Sequence, residues 1–254
     1  MRERKRTMLL FFVMLTIVIV AAMATLRGQS QQGSVSIKQE NDNQSQMPLV
    51  NYSDPEPVEP GKQAERNIKS LRYKSRPAQV KETPDVVEVT EAESWIERLP
   101  ALPVAQSDAV VVGTITNAQA FLSGDTTGVY SEFNVKISEI LKDNSGLSLA
   151  PDKTLIAERE GGRVRFPSGH VQSFKLSGQG APQIGRRYIF FLKRTEQTQG
   201  FLLLTAYELL GGRVFPIGEV TRHDAYKGFD ETSFLEVVRD AIANSSKALS
   251  GEGR

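Results

Sequence analysis

The sequence predicts a mainly β protein, a barrel or a sandwich, closed off by one C-terminal helix. Three observations carry this. Residues 129–141 alternate: Ser131, Phe133, Val135 and Ile137 fall on one face, and Glu132, Asn134, Lys136 and Ser138 on the other. That is the period-two signature of a half-buried strand. Just before it, the apolar run 109–121 leads into Ser123-Gly124-Asp125-Thr126-Thr127-Gly128, a turn-rich join that makes the two segments a long hairpin. From residue 154 to residue 217, short apolar runs then recur between glycine-rich turns.

Within the hairpin the phase slips after Ile137, because Ile140 and Leu141 are adjacent, so a bulge or strand end is expected there. On this pattern Phe133→Ala should cost about 3–5 kcal/mol. Glu132→Ala, one residue away on the outer face, should cost less than about 0.5 kcal/mol. Next come residues 154–160, Gly161-Gly162 and residues 163–166, which read as a hairpin, and a further turn at Pro167-Ser168-Gly169-His170 leads to 171–176. Residues 177–185 read as loop. Residues 187–192 (RYIFFL) are a near-continuous apolar run, the pattern of a central strand buried on both faces. Residues 201–210 and 213–217 flank Gly211-Gly212, another hairpin signal. Residues 230–245 read as a helix, with Ser233 and Glu236 at capping-box spacing and Phe234, Val237, Val238, Ala241 and Ile242 on one face.

The N-terminal third has a different character. Arg2, Arg4, Lys5 and Arg6 precede an uncharged run from Met8 to Leu26, long enough to span a bilayer as a helix. The basic flank places the N-terminus in the cytoplasm and the rest of the chain outside it, in a single pass of the inner (cytoplasmic) membrane. The alternative is a signal peptide cleaved near Ala24, which would release a secreted or periplasmic protein. Residues 28–85 are rich in Gln, Ser, Asn, Pro and Glu and read as a disordered linker. Within it, Lys62, Arg66, Lys69, Arg72, Lys74, Arg76 and Lys81 form a basic stretch with Ile68 and Leu71 as a weak apolar edge. Attraction to anionic lipid is one reading of it, and scattered charge on a solvated linker is the simpler one. Thr90 and Glu93 form a capping box opening a short N-terminal helix through Trp95, Ile96 and Leu99, an apolar lid on the β-structure. The organisation expected is therefore 1–27 anchor or signal peptide, 28–85 linker, 86–246 β-rich extracytoplasmic domain and 247–254 disordered tail.

Three segments, SDAVVVG at 107–113, FNVKISEILK at 133–142 and GRRYIFFLK at 185–193, resemble those of netrin-type modules, the OB-like barrels of tissue metalloproteinase inhibitors and complement C-terminal domains. SDAVVVG combined with GGRVRFPSG at 161–169 also resembles a family of exported bacterial proteins. The resemblance covers about residues 107–217 and implies an OB-like, netrin-like β-barrel, a fold used most often for binding. The netrin-type inhibitors chelate metal through an N-terminal cysteine, and with no cysteine in this chain that mechanism does not transfer.

Composition limits the chemistry. A net charge of +1 argues against a nucleic-acid footprint. The absence of cysteine removes disulfides, thiolate metal sites and cysteine nucleophiles. The two histidines, His170 in a turn and His223 in a polar loop, lack metal-ligand spacing and the setting of a nucleophile–base pair. No cofactor or catalytic residue is therefore assigned. Glu158 and Glu160 share a strand face and read as alternating charge on a solvated surface. One constellation remains: Arg163 and Arg165 on one strand face, with Lys175, Arg186 and Arg187, and beyond them Lys193 and Arg194, on or near adjoining elements. It is a candidate patch for an anionic polymer, a glycan or an envelope protein, and solubilising charge on a β-surface is the simpler reading. The functional expectation is a membrane-anchored extracytoplasmic binding or scaffold module, and the alternative is an exported hydrolase with its own catalytic cleft.

Overall fold

The computed structural model describes residues 47–53, 63–74, 80–82, 88–89, 98–218 and 221–250. The expected membrane span, the capping box at Thr90 and Trp95 lie outside these residues. Among the described residues no helix is long and apolar enough to cross a membrane.

The protein is mainly β. The hairpin of β3 (Ala109–Leu122) and β4 (Val129–Asp143) is its longest feature. β4 pairs with β5 (Thr154–Glu160), and β3 pairs with β8 (Arg187–Arg194). β9 (Phe201–Leu210) pairs antiparallel with β8 and parallel with β5, so each of these five strands has two partners within the set. β10 (Arg213–Pro216) extends from β9. A second, four-stranded sheet has the order β1 (Leu49–Asn51), β6 (Gly162–Arg165), β7 (Val171–Phe174) and β2 (Glu88–Val89).

Alternation along the strands divides the core. Phe133, Val135 and Ile137 of β4 share one buried cluster with Ala109, Val111 and Ile115 of β3, Tyr188, Phe190 and Leu192 of β8, and Phe201 and Leu203 of β9. The intervening residues Val110, Val112, Ile189 and Phe191 face the opposite way, into a second cluster completed by the C-terminal helix. β8 is thus buried on both faces, as its unbroken apolar run predicts. The register of β3 against β4 shifts between Val110 and Val111 and between Val112 and Gly113, which places bulges in β4 where the sequence phase slips.

The two glycine pairs behave differently. Gly211 and Gly212 have φ of 60° and 73° and close the β9–β10 hairpin in the primed-turn geometry that a side chain resists. Gly161-Gly162 is not a hairpin turn. It carries the chain from β5 in the larger sheet to β6 in the smaller one. Gly161 has φ of 107°, and a Cβ there would lie 2.7 Å from the Phe174 carbonyl oxygen, so glycine serves a crossing rather than a turn. The β6–β7 hairpin forms around Pro167–His170 as expected, closed by the Phe166 amide donating to the His170 carbonyl at 2.8 Å.

The C-terminal helix, α2 (Glu231–Ser250), runs five residues past the expected end at residue 245, into the stretch read as a tail. Its cap is Asp230, whose carboxylate accepts from the Ser233 amide at 3.1 Å, so the Ser233/Glu236 spacing is not the cap. Phe234, Leu235 and Val238 are buried while Val237 is exposed, a rotation of the apolar face by one position from the expected one.

Part of the stretch read as linker is built into the fold. α1 (Gln63–Arg72) lies within it, as do β1 and the buried Tyr73 and Val80. Composition missed this because the segment docks through charge and tyrosine rings, which a hydrophobicity count does not weigh.

Candidate functional site

The site begins with two glutamates. Glu132 on β4 and Glu158 on β5 are directly paired across the strands and point to the same, outer face. Like charges placed opposite each other on a sheet repel, and both residues are buried, Glu158 completely. Such a pair persists only if cations are brought to it.

α1 brings them. Arg66, Lys69 and Arg72 recur every three residues, which places them along one side of a helix. The Lys69 ammonium lies 3.0 Å from Glu132, 3.7 Å from Glu158 and 2.8 Å from Glu65 of its own helix. Arg66 pairs with Glu132 at 3.0 Å and Arg72 pairs with Glu158. Aromatic rings wall the cluster. The Arg66 guanidinium sits 3.5 Å above the Phe121 ring, and Tyr73 stacks on Tyr130 at 4.6 Å and 14°. The basic stretch is therefore not solvated where it forms α1, and neither Glu132 nor Glu158 lies on a solvated face. The small predicted cost of Glu132→Ala rested on exposure and does not stand. The one signal in the sequence was the three-residue basic spacing beside Glu65. Nothing in it indicated which strand would receive that helix.

A second polar group is buried at the edge of the main core. Arg159 of β5 donates to the Gln179 side chain at 2.8 Å and to the Gly180 carbonyl, and burial pulls its guanidinium below the usual arginine range. His223, expected in a polar loop, lies instead in a 3₁₀ turn (Thr221–Tyr226), buried against the edge of the Tyr207 ring. Burial holds its imidazole below the ordinary value, and the charges of Arg222 and Arg159 act in the same direction. A histidine with a lowered folded pKa takes up its proton more readily when unfolded. Its contribution is fully present above the unfolded value near ~6.5 and is lost as pH falls below it. The urea midpoint should therefore fall between pH 7.5 and pH 5, and more steeply than in His223→Phe. Equal slopes in the two proteins would refute this.

The candidate anion patch is split. Arg163 and Arg165 lie on β6 and Lys175 just beyond β7, all in the four-stranded sheet region. Arg186 lies just before β8 and Arg187 opens it, in the larger sheet, where Arg186 pairs with Glu208 at 3.0 Å and Arg187 with Glu231 at 2.5 Å. The last two are tied to acidic partners of β9 and α2. Arg165 is exposed on β6, Arg163 is half-buried there, and Lys175 is half-buried beside Gly161. His170 is half-buried rather than exposed at its turn, with Ser168 donating to Glu82 beside it. Among the described residues, no group of three or more His, Cys, Asp or Glu side chains is placed to hold a metal ion.

No protein-family model matches the chain, and no curated protein is similar enough to count as a match.

Proposed function

We propose that this protein is a membrane-anchored, extracytoplasmic binding or scaffold module, with residues 8–26 in the inner membrane and its N-terminus in the cytoplasm. Its five doubly paired strands act as an OB-like barrel of the netrin type. The cyclic pairing β3–β4–β5–β9–β8–β3, with β5 and β9 parallel, supports the barrel reading. One observation favours binding over hydrolysis. Glu132 and Glu158, the buried carboxylates that sit side by side, are already held by Lys69, Arg66 and Arg72 of the same chain. A carboxylate acting as general acid or base must reach a substrate proton, and these reach the chain's own cations.

A phosphatase reporter fused after Gly33 should be active only outside the cytoplasm, and cytoplasmic activity would overturn the topology. Arg165, exposed on β6, with Arg163 beside it on the same strand, is the part of the basic patch that would meet an anionic polymer or an acidic envelope protein. Arg163→Gln with Arg165→Gln should weaken binding of polyglutamate by about tenfold, equivalent to ~1.4 kcal/mol. Unchanged binding would remove β6 from the site.

A further inference from the structure

We propose that the outer face of β3, β4 and β5 is a binding site for a cationic helix, filled in cis by α1. On this reading α1 is a releasable strap, displaced by a partner segment that carries Arg and Lys at the same three-residue spacing. The inference rests on the reading of this chain as a binding module and names a site on it distinct from Arg163 and Arg165.

The way α1 is seated argues for exchange. A helix that belongs permanently to a core buries its apolar stripe and exposes its charges. α1 does the reverse: Lys69 is 2% exposed, while Leu71 is 68% exposed. Its attachment is mainly by ion pairs, whose attraction is largely offset by the cost of taking the charges out of water, with the Arg66 guanidinium on Phe121 and the Tyr73–Tyr130 stack beside them. Such a contact specifies its partner sharply but leaves the bound and released states close in free energy. The exposed Leu71 adds nothing to the docked state.

The location argues for a ligand site. α1 lies on the sheet face between the β3–β4 and β8–β9 loops. A Cβ on Gly124 of the first loop would lie 2.7 Å from the Ser70 hydroxyl, and one on Gly200 of the second would lie 3.9 Å from the Lys69 ammonium. On small barrels of this connectivity, the face of the second and third strands, framed by these two loops, is where elongated ligands dock. Here that face carries Glu132 and Glu158 with the Phe121 and Tyr130 rings, so it selects a cationic segment with stems that pack on aromatics. An anionic polymer would be repelled from it.

Full-length protein in detergent micelles is the material for the test, and a synthetic peptide of residues 61–75 is the probe. Because the chain has no cysteine, Leu71→Cys with Lys136→Cys gives a clean pair of spin-label sites. Without peptide the labels should report one narrow distance. Peptide at several times the ~mM effective concentration of a tethered segment should broaden it. A peptide with Gln at positions 66, 69 and 72 should leave it unchanged. Gly128→Ala provides a second arm, since its Cβ would overlap the Tyr73 carbonyl oxygen and wedge the strap away without altering a charge. That variant should bind labelled peptide at least tenfold more tightly than the parent, and adding Glu132→Gln and Glu158→Gln should abolish the gain. A distance that stays narrow at saturating peptide overturns the proposal, as does equal binding of the charge-deleted peptide. If Gly128→Ala does not fold, the spin-label titration decides alone. The reporter fusion and the polyglutamate measurement are read separately, so loss of the strap site leaves the module reading standing, and the converse.

Discussion

Phe133→Ala should lower stability by about 3–5 kcal/mol, a large part of the ~5–15 kcal/mol that holds a typical domain together. The size follows from the surroundings. Phe133 is 1% exposed and lies opposite Ala118 on β3 and Ala157 on β5. Alanines on both flanking strands have no side chain to swing into the vacated volume, so the truncation leaves a cavity rather than a repacked core. Asn134→Ala is the control. It lies on the same strand, half-buried on the opposite face, and should cost less than about 0.5 kcal/mol. Urea melts of the two variants distinguish the faces. A larger loss at Asn134 would mean that the register of β4 is inverted.

The second large effect is expected at Glu158. Glu158→Gln takes the charge from a fully buried carboxylate and leaves Arg72 and Lys69 with one partner fewer. Breaking one side of a buried pair typically costs about 3–5 kcal/mol, because the other side stays desolvated. If α1 can leave, the loss is limited to the free energy with which it docks. Hydrogen exchange separates the two ways of losing stability. The amides of α1 should lose protection while those of β4 and β5 keep theirs. Replacing the whole set together, Arg66, Lys69 and Arg72 by Met and Glu132 and Glu158 by Leu, should restore or exceed the parent stability, since no cation is then left without its carboxylate and an apolar cluster carries no desolvation cost. A Glu158→Gln protein with unchanged α1 protection would show that the helix is held by something other than these charges. Glu132→Ala belongs with Glu158→Gln rather than with the surface substitutions, because Arg66 and Lys69 both converge on Glu132.

The elements that depend on local periodicity were legible in the amino-acid order. The alternation of Ser131, Phe133, Val135 and Ile137 named the buried face of β4, and the run from Tyr188 to Leu192 named a strand covered on both sides. These signals survive because a strand's side chains alternate whatever packs against them. Gly211-Gly212 was legible for a related reason: a two-residue hairpin needs positive φ at both positions. What lies on the second face of each strand depends on how distant segments pack. The alternation puts Glu132 and Glu158 on the outside, but not whether the outside meets water or a helix from some sixty to ninety residues earlier. The same limit applies to Gly161-Gly162, where a glycine needed for close approach to Phe174 looks like a glycine needed for a turn. α1 was hidden because the usual sign of a docked helix is an apolar stripe. Its docking surface is charged, and a stripe of Arg and Lys reads as solvated until the carboxylates that receive it are found on other strands.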